Sequence, residues 1–266
     1  MTITGTAAGV PFLAVPPASG SASAPTVVGW HLMDPPRTET AFASALPLDG
    51  LDAWRIYLGL PMCGSRLPEG GFDELMRLGH EDAVLNLFGP ITTQAAAEFP
   101  AALAELRSRF DLAQGPIGVL GGSLGAAVAQ LVIAGGDVEV DAAVLVGPVV
   151  QLATVVAANE RRFGVTYAWS ERSQEVARRL DFVARAGELK DVDVLIVVGE
   201  GDDPVILEPA AALRSAVDGT LVTVAGMEHA LAEEPGVEPA PQMPAAAEVD
   251  RLVVRWFADR PRGQII

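Results

Sequence analysis

The chain has 266 residues, 50% of them hydrophobic and 20% charged, and its formal net charge is −16 at pH 7. This composition excludes a largely disordered chain, and the length fits one large α/β domain or two small domains. The acidic balance disfavours nucleic acids and anionic membranes as partners, because both are bound through basic surfaces. Cys63 is the only cysteine, which excludes an internal disulfide and a multi-cysteine metal site.

The sequence has no pattern typical of a secretory signal or a membrane helix. Arg37 is the first basic residue, so no charged segment precedes an apolar stretch, and no apolar run reaches about 18 residues. We therefore expect a cytoplasmic protein without a membrane span.

In chain order, the sequence predicts alternating strands and helices after a loosely ordered N-terminal segment. That segment, residues 1–25, is rich in Ala, Pro, Gly and Ser and contains one apolar run, Val10–Val15, which predicts an edge strand at most. Short apolar runs predict strands at residues 26–33, 54–60, 116–120, 141–150, 191–198 and 220–225. Longer stretches predict helices at residues 40–46, 92–110 with an interruption or a kink at Pro100, 126–134, 209–217 and 245–258.

The predicted strands are continuously apolar rather than alternating between apolar and polar residues. Strands of this kind are buried on both faces and are typical of parallel sheets covered by helices. Because strands and helices alternate along the chain, we predict an α/β fold with a mostly parallel central sheet flanked by helices.

A candidate nucleophile lies between a predicted strand and a predicted helix. Gly121-x-Ser123-x-Gly125 matches the G-x-S-x-G motif, whose sharp turn raises a serine Oγ above the end of a sheet. The strand 116–120 precedes this motif and the helix 126–134 follows it, as the motif requires. The alternative is a glycine-rich turn in which the serine only caps the helix.

A serine hydroxyl needs a base to become a good nucleophile, and histidine is the usual one. The chain has three histidines, His31, His80 and His229. In proteins with the G-x-S-x-G elbow the base follows the serine in the chain, and only His229 does so. His229 comes shortly after the strand 220–225, so we predict that it lies in a loop at the carboxyl end of the sheet.

The acid that orients this histidine is expected in the loop after the strand 191–198. Two adjacent aspartates, Asp202 and Asp203, compete for the role. The other residue would then be a loop or helix-cap residue, and in the alternative both are turn residues.

Taken together, these motifs resemble those of the α/β-hydrolase superfamily, and of its small serine esterases in particular. The resemblance lies in PIGVLGGSLGAA, VLIVVGEGDDPV and GMEHALAEEPG, with TVVGWHLM and WRIYLGLPMCGSR as weaker matches, and it extends over most of residues 26–258. It implies an α/β-hydrolase fold in a single domain spanning residues 1–266. It does not identify a substrate.

The resemblance also implies roles for particular residues. The acid of the family usually stands three residues after the glycine that closes its strand, which favours Asp202 after Gly199, although relatives often show the acid directly before a proline, as Asp203 is. The oxyanion would be held by the backbone N–H groups of Leu124 and of Met33, with Leu32 as the alternative second donor and as a residue in contact with the substrate.

This chain departs from the family pattern at the second oxyanion donor. Relatives usually have a glycine after the histidine of the oxyanion loop, but Leu32 follows His31 here, and the chain has no HGGG stretch. We expect His31 to be a packing residue of this loop.

Residues 151–190 fall where the family inserts a cap. The insertion is short, so we expect two or three helices rather than a separate lid domain. Phe163, Tyr167 and Trp169 would line the substrate pocket, or alternatively form the core of the cap itself.

The function implied is hydrolysis of a small-molecule carboxylic ester through an acyl-enzyme, without a metal or other cofactor. The same residues would serve a thioesterase, an amidase, an acyltransferase or a small peptidase. An alternative of a different class is a catalytically silent hydrolase fold that binds a ligand. The sequence makes no prediction of the oligomeric state.

Overall fold

The computed structural model describes residues 2–21 and 23–259. Its strands are β1 (Ile3–Ala7), β2 (Val10–Val15), β3 (Thr26–Trp30), β4 (Trp54–Leu58), β5 (Ile117–Gly122), β6 (Val140–Val146), β7 (Asp193–Gly199) and β8 (Thr220–Val224). Within the described residues they form one sheet in the order β1-β2-β4-β3-β5-β6-β7-β8. Strands β3 to β8 run parallel, whereas β1 and β2 are antiparallel to their neighbours. This arrangement confirms the predicted mostly parallel sheet.

Helices cover both faces of this sheet. They are α1 (Glu39–Ala45), α2 (Gly71–Ala83), α3 (Gly89–Phe110), α4 (Leu124–Gly135), α5 (Leu152–Phe163), α6 (Glu171–Arg179), α7 (Pro204–Ala216) and α8 (Pro244–Ala258). One hydrophobic core joins α1 and α8 to one face, and a larger core joins α3, α4 and α7 to the other. None of the helices in the described part of the chain combines the length and the apolar character that crossing a membrane requires.

The central strands are buried from end to end, which explains their continuous apolar sequences. Every residue of β5 is buried, and so are the five residues from Ala142 to the end of β6. Since parallel strands end at the same edge of a sheet, β5, β7 and β8 present their following loops side by side. These loops contain Ser123, Asp202 and His229.

The N-terminal segment is more ordered than the sequence predicts. Residues 1–25 were expected to be loosely ordered, but β1 and β2 form a hairpin whose second strand pairs with β4. The side chains of Phe12 and Ala14 are buried, and the Phe12 ring packs edge-to-face on Phe110 of α3 at 5.8 Å. Burial of this apolar side stabilises a hairpin that Pro11 and short strand length disfavour.

Two further differences concern the helices. Helix α3 contains Pro100 and nevertheless runs from Gly89 to Phe110 without a break, so the expected interruption is absent. Helix α2 was not predicted at all, and a π-helical turn, Val84–Phe88, joins it to α3.

Candidate active site

Ser123 occupies the sharp turn between β5 and α4. Its backbone has φ 48° and ψ −114°, a combination that L-residues rarely adopt and that is characteristic of strained functional turns. Both glycines of the motif are required by space: a Cβ on Gly121 would lie 2.4 Å from Ala126 Cα, and one on Gly125 would lie 2.3 Å from the Trp30 carbonyl oxygen. The sequence G-x-S-x-G is thus the one that lets α4 start this close to the sheet.

Three predicted residues come together at the carboxyl edge of the sheet. His229 Nε2 lies 2.8 Å from Ser123 Oγ, and His229 Nδ1 lies 2.7 Å from Asp202 Oδ1. With the proton on Nδ1 donated to the carboxylate, Nε2 is free to accept the hydrogen bond of the serine hydroxyl. The second carboxylate oxygen of Asp202 accepts the Gly199 N–H at 2.7 Å, which fixes the acid in a fully buried position.

His229 is mostly buried and stands between two carboxylates. Burial alone would lower the pKa of His229, but the hydrogen bond to Asp202 and the charges of Asp202 and Asp34 raise this pKa above its ordinary value of 6.5. Asp34 Oδ2 lies 3.7 Å from Nε2, on the side away from Asp202. Both carboxylates therefore stabilise the imidazolium that forms when His229 takes a proton.

The two adjacent aspartates have different surroundings. Asp203 is the N-cap residue of α7, and its Oδ1 accepts the backbone N–H of Val205 at 2.9 Å. Asp202, in contrast, is the one that reaches His229. The structure thus brings Asp202 to the imidazole and leaves Asp203 as a helix cap, and the catalytic role of Asp202 stays a prediction.

Two other residues with reactive side chains are held in structural positions. His31 is completely buried; its Nδ1 donates to the Leu32 carbonyl and its Nε2 accepts the Leu60 N–H at 3.1 Å, which ties the ends of β3 and β4 together. Burial lowers the pKa of His31 to about 4, so this ring is neutral. Burial likewise raises the pKa of the Cys63 thiol to about 12, which makes it a poor nucleophile.

The predicted oxyanion donors belong to two separate elements, the start of α4 and the loop after β3. Leu124 is the first residue of α4, where backbone N–H groups have no intrahelical acceptor. Met33 lies in the loop after β3, and its carbonyl accepts a hydrogen bond from Arg37 Nε at 2.8 Å. This bond holds the peptide group of Met33 in place, and its role toward an oxyanion stays a prediction.

The loop after β3 is attached to the histidine loop. Arg37 donates to Glu234 at 2.5 Å, and its backbone N–H donates to the Gly236 carbonyl at 2.7 Å. The Leu231 N–H in turn donates to the Pro35 carbonyl at 2.9 Å. These hydrogen bonds hold the loop that carries Met33 against the loop that carries His229.

The predicted substrate contacts are placed differently from expectation. Leu32 is fully buried in the core shared by α1 and α8, next to Gly122, so its side chain has no surface to offer a substrate. Tyr167 and Trp169 pack edge-to-face at 4.8 Å, and the Tyr167 hydroxyl donates to Asp82 Oδ1 at 2.6 Å. Tyr167 thus joins the cap to the end of α2, and the contact between the two rings favours the alternative that they belong to the core of the cap.

A groove that the sequence did not reveal opens beside Asp34, close to His229. Its volume is about 660 Å³; one wall consists of residues 33–40 together with Val237 and Glu238, and the other wall consists of residues 62–88. Asp34 lies in the first wall and also faces His229. The spacing of Phe72, Leu75 and Met76, three and four residues apart, was a signal of an amphipathic helix that could have located the second wall.

Comparison with known proteins gives structural matches only. No protein-family model and no curated protein matches the chain. Among solved structures, TT1662 from Thermus thermophilus has 17% sequence identity and a TM-score of 0.60, over 98% of this chain and 99% of that one. Est1E from Butyrivibrio proteoclasticus has 14% identity and a TM-score of 0.58, over 97% of this chain and 98% of that one.

Dipeptidyl peptidase 4 from Porphyromonas gingivalis also matches, with 13% identity and a TM-score of 0.62 over 98% of this chain. The chain spans only 35% of that protein. Identities this low establish the architecture and leave the activity open. The strand order, the helices on both faces and these structural matches show that the chain has the α/β-hydrolase fold.

Proposed function

We propose that this protein is a serine hydrolase that cleaves carboxylic esters through an acyl-enzyme intermediate. The observation that carries the proposal is the continuous hydrogen-bonded series Ser123–His229–Asp202, with separations of 2.8 and 2.7 Å. The strained backbone of Ser123 supports it, because a turn of this kind exposes the nucleophile at the end of the sheet.

In the proposed mechanism, His229 accepts the proton of Ser123 Oγ as this oxygen attacks the ester carbonyl. Asp202 keeps the imidazole in the tautomer with Nε2 free and stabilises the positive charge that forms. His229 then returns the proton to the leaving alcohol. A water molecule, activated by the same ring, hydrolyses the acyl-enzyme and regenerates Ser123.

The oxyanion of the tetrahedral intermediate is proposed to bind the backbone N–H groups of Leu124 and Met33. Leu124 stands at the positive end of the α4 dipole, which favours negative charge there. Oriented N–H donors of this kind stabilise charge that develops in the transition state. Apart from the ester and the water molecule, the proposed steps use side chains and backbone groups of this chain.

We propose an ester rather than an amide as the substrate. The esterase domain of a Rhodothermus marinus protein matches this chain over 96% of both chains, whereas the peptidase match covers about a third of the peptidase. A thioesterase, an amidase, an acyltransferase and a silent ligand-binding protein remain the alternatives that the experiment must exclude.

The proposal is tested by labelling and by turnover. A fluorophosphonate probe is expected to label the purified protein at Ser123, as located by peptide mass spectrometry, and the protein is expected to hydrolyse p-nitrophenyl acetate. A protein that neither reacts with the probe nor turns over esters would support the silent alternative. Labelling at Ser123 with turnover of amides but not of esters would overturn the choice of substrate.

The pH dependence of the reaction is expected to depend on Asp34 as well as on Asp202. Only neutral His229 can accept a proton, so kcat/KM should fall with an apparent pKa above 6.5 as the pH is lowered. Asp34→Asn removes one charge that holds the proton on the ring, so this acidic limb should move to lower pH. The shift should be small, because the half-exposed carboxylate is screened by solvent and salt.

The matched control is Glu228→Gln. It also removes one negative charge, at the residue that directly precedes His229 in the sequence. The Glu228 side chain lies against Gly201, and we expect its replacement to leave the acidic limb in place. The test is the dependence of kcat/KM on pH, measured at low ionic strength. If Asp34→Asn and the unaltered protein have the same acidic limb, Asp34 does not raise the pKa of His229.

A further inference from the structure

The groove beside His229 has one wall that is strongly apolar. This wall comes from residues 62–88, and it presents Met62, Leu67, Phe72, Leu75, Met76 and Leu87. Phe72 and Met76 are 53% and 58% exposed, so large apolar side chains face water where α2 borders the groove. Exposed apolar surface gathered around a concave site marks a place where an apolar ligand is buried.

Two residues of the groove lining link it to the site of the proposed chemistry. Asp34 lines the groove, and its Oδ2 lies 3.7 Å from His229 Nε2, the atom that exchanges a proton with Ser123. Met33, whose N–H is the proposed oxyanion donor, lines it as well. A chain that extends from an ester at Ser123 past His229 and Asp34 would therefore enter the groove.

The opposite wall is acidic. Asp34, Glu39 and Glu238 line it, and Arg37 is the one cation among the lining residues, all of which belong to the described part of the chain. The Arg37 guanidinium is already bound by Glu234 at 2.5 Å. The groove thus offers no free cation to an anionic ligand, and its carboxylates repel one.

We propose that this groove binds the uncharged apolar chain of the ester substrate, and that α2 rather than the cap determines which chain lengths are accepted. The proposal rests on the proposed esterase function for the identity of the substrate. The volume of the groove, about 660 Å³, lies within the usual range for pockets that enclose small ligands.

The cap has a supporting position in this arrangement. The Tyr167 hydroxyl donates to Asp82 Oδ1, and the same carboxylate oxygen accepts the Leu85 N–H at 2.9 Å, at the junction between α2 and the π-helical turn. Helix α6 packs on that turn through Val176, which lies beside Gly89. The cap therefore supports the wall of the groove that residues 62–88 form.

Two series of substrates test the proposal. One varies the acyl group from p-nitrophenyl acetate to octanoate, and the other varies the alcohol from methyl acetate to octyl acetate. In at least one series, kcat/KM should rise by up to about fourfold for each methylene that becomes buried. Mono-4-nitrophenyl suberate, which ends in a carboxylate, should react at least about tenfold more slowly than the octanoate ester.

The decisive variant is Met76→Glu, which introduces a charge where the chain is proposed to bind. Met76 is exposed, so the substitution is compatible with folding. It should lower the ratio of long-chain to acetate kcat/KM by about tenfold. Phe163→Glu is the matched control: Phe163 is a 66% exposed apolar residue of the cap that does not line the groove, and its replacement should leave the ratio unchanged.

Trp169→Ala tests the competing role of the cap directly. If Trp169→Ala lowers the chain-length ratio while Met76→Glu leaves it unchanged in both series, the cap selects the substrate and the proposal is overturned. A ratio near one for all chain lengths in the unaltered protein would overturn it as well.

A binding measurement separates this proposal from the proposed chemistry. N-phenyl-1-naphthylamine, an uncharged fluorophore that brightens in apolar sites, should bind the Ser123→Ala protein, be displaced by 1-octanol, and bind at least about tenfold more weakly after Met76→Glu is added. This result in a protein that cleaves no ester would retain the groove and reject the esterase. Absence of this binding, with acetate ester still hydrolysed, would reject the groove and retain the esterase.

Discussion

Replacing Ser123 with alanine is expected to lower kcat/KM for p-nitrophenyl acetate by about 10⁴-fold or more. The substitution removes the oxygen that attacks the carbonyl, together with its hydrogen bond to His229 Nε2. It leaves the backbone groups that would hold the oxyanion, so the remaining activity would come from these groups and from binding alone. Steady-state turnover of the purified variant measures the loss.

Folding of this variant has to be shown separately. Alanine keeps the Cβ of serine, so it adds nothing to the strain already present at φ 48°, and the melting temperature should stay close to that of the unaltered protein. Ser215→Ala is the matched control, because Ser215 is exposed on α7 and its hydroxyl donates only to the Ala211 carbonyl. Residual activity of Ser123→Ala above a tenth of the original, or an equal loss in Ser215→Ala, would reject Ser123 as the nucleophile.

The central part of the fold was predictable because its sequence signals are local. Strands such as β5 and β7 are apolar at nearly every position, and the structure buries them between two layers of helices. The order of strand, serine turn and helix is likewise contained in a dozen consecutive residues. Where a local pattern and the tertiary environment agree, as they do here, the sequence is sufficient to predict the element.

The edges of the molecule were less predictable. The N-terminal hairpin depends on contacts with distant elements, since β2 pairs with β4 and Phe12 packs on Phe110 almost a hundred residues later. Helix α2 has Leu75 as its one fully buried residue and begins after a left-handed glycine, Gly70, rather than a polar N-cap. Phe72 and Met76 line the groove and stay exposed, so the helix buries less apolar surface than a typical core-facing helix.

The candidate site divides in the same way. Ser123 and His229 were found from motif and chain order, because each lies directly after a recognisable strand. Asp34 could not be found, since it lies 195 positions before His229 and its place beside Nε2 depends on the hydrogen bonds that attach its loop to the histidine loop. The groove needs three separate segments of chain, so only the assembled fold brings it into view.

The choice between the adjacent aspartates leads to the second prediction with a large effect. Asp202→Asn is expected to lower kcat by about a hundredfold or more, whereas Asp203→Asn should lower it by less than about tenfold. Asparagine has the size of aspartate, and its oxygen can still accept the Gly199 N–H. Its amide nitrogen then faces His229 Nδ1 as a donor, where the carboxylate was an acceptor.

This exchange of acceptor for donor forces the proton of His229 from Nδ1 to Nε2. A ring protonated at Nε2 cannot take the proton of Ser123. The variant also lacks the negative charge of Asp202, which would stabilise the imidazolium. Asp203 acts on α7 instead, where its side chain accepts the Val205 N–H, and asparagine is an equally good N-cap residue. Both variants carry the same loss of charge, so each is the control for the other when kcat and melting temperature are measured side by side. A greater loss of kcat in Asp203→Asn than in Asp202→Asn would move the role of the acid to Asp203, despite the 2.7 Å contact of Asp202 with His229.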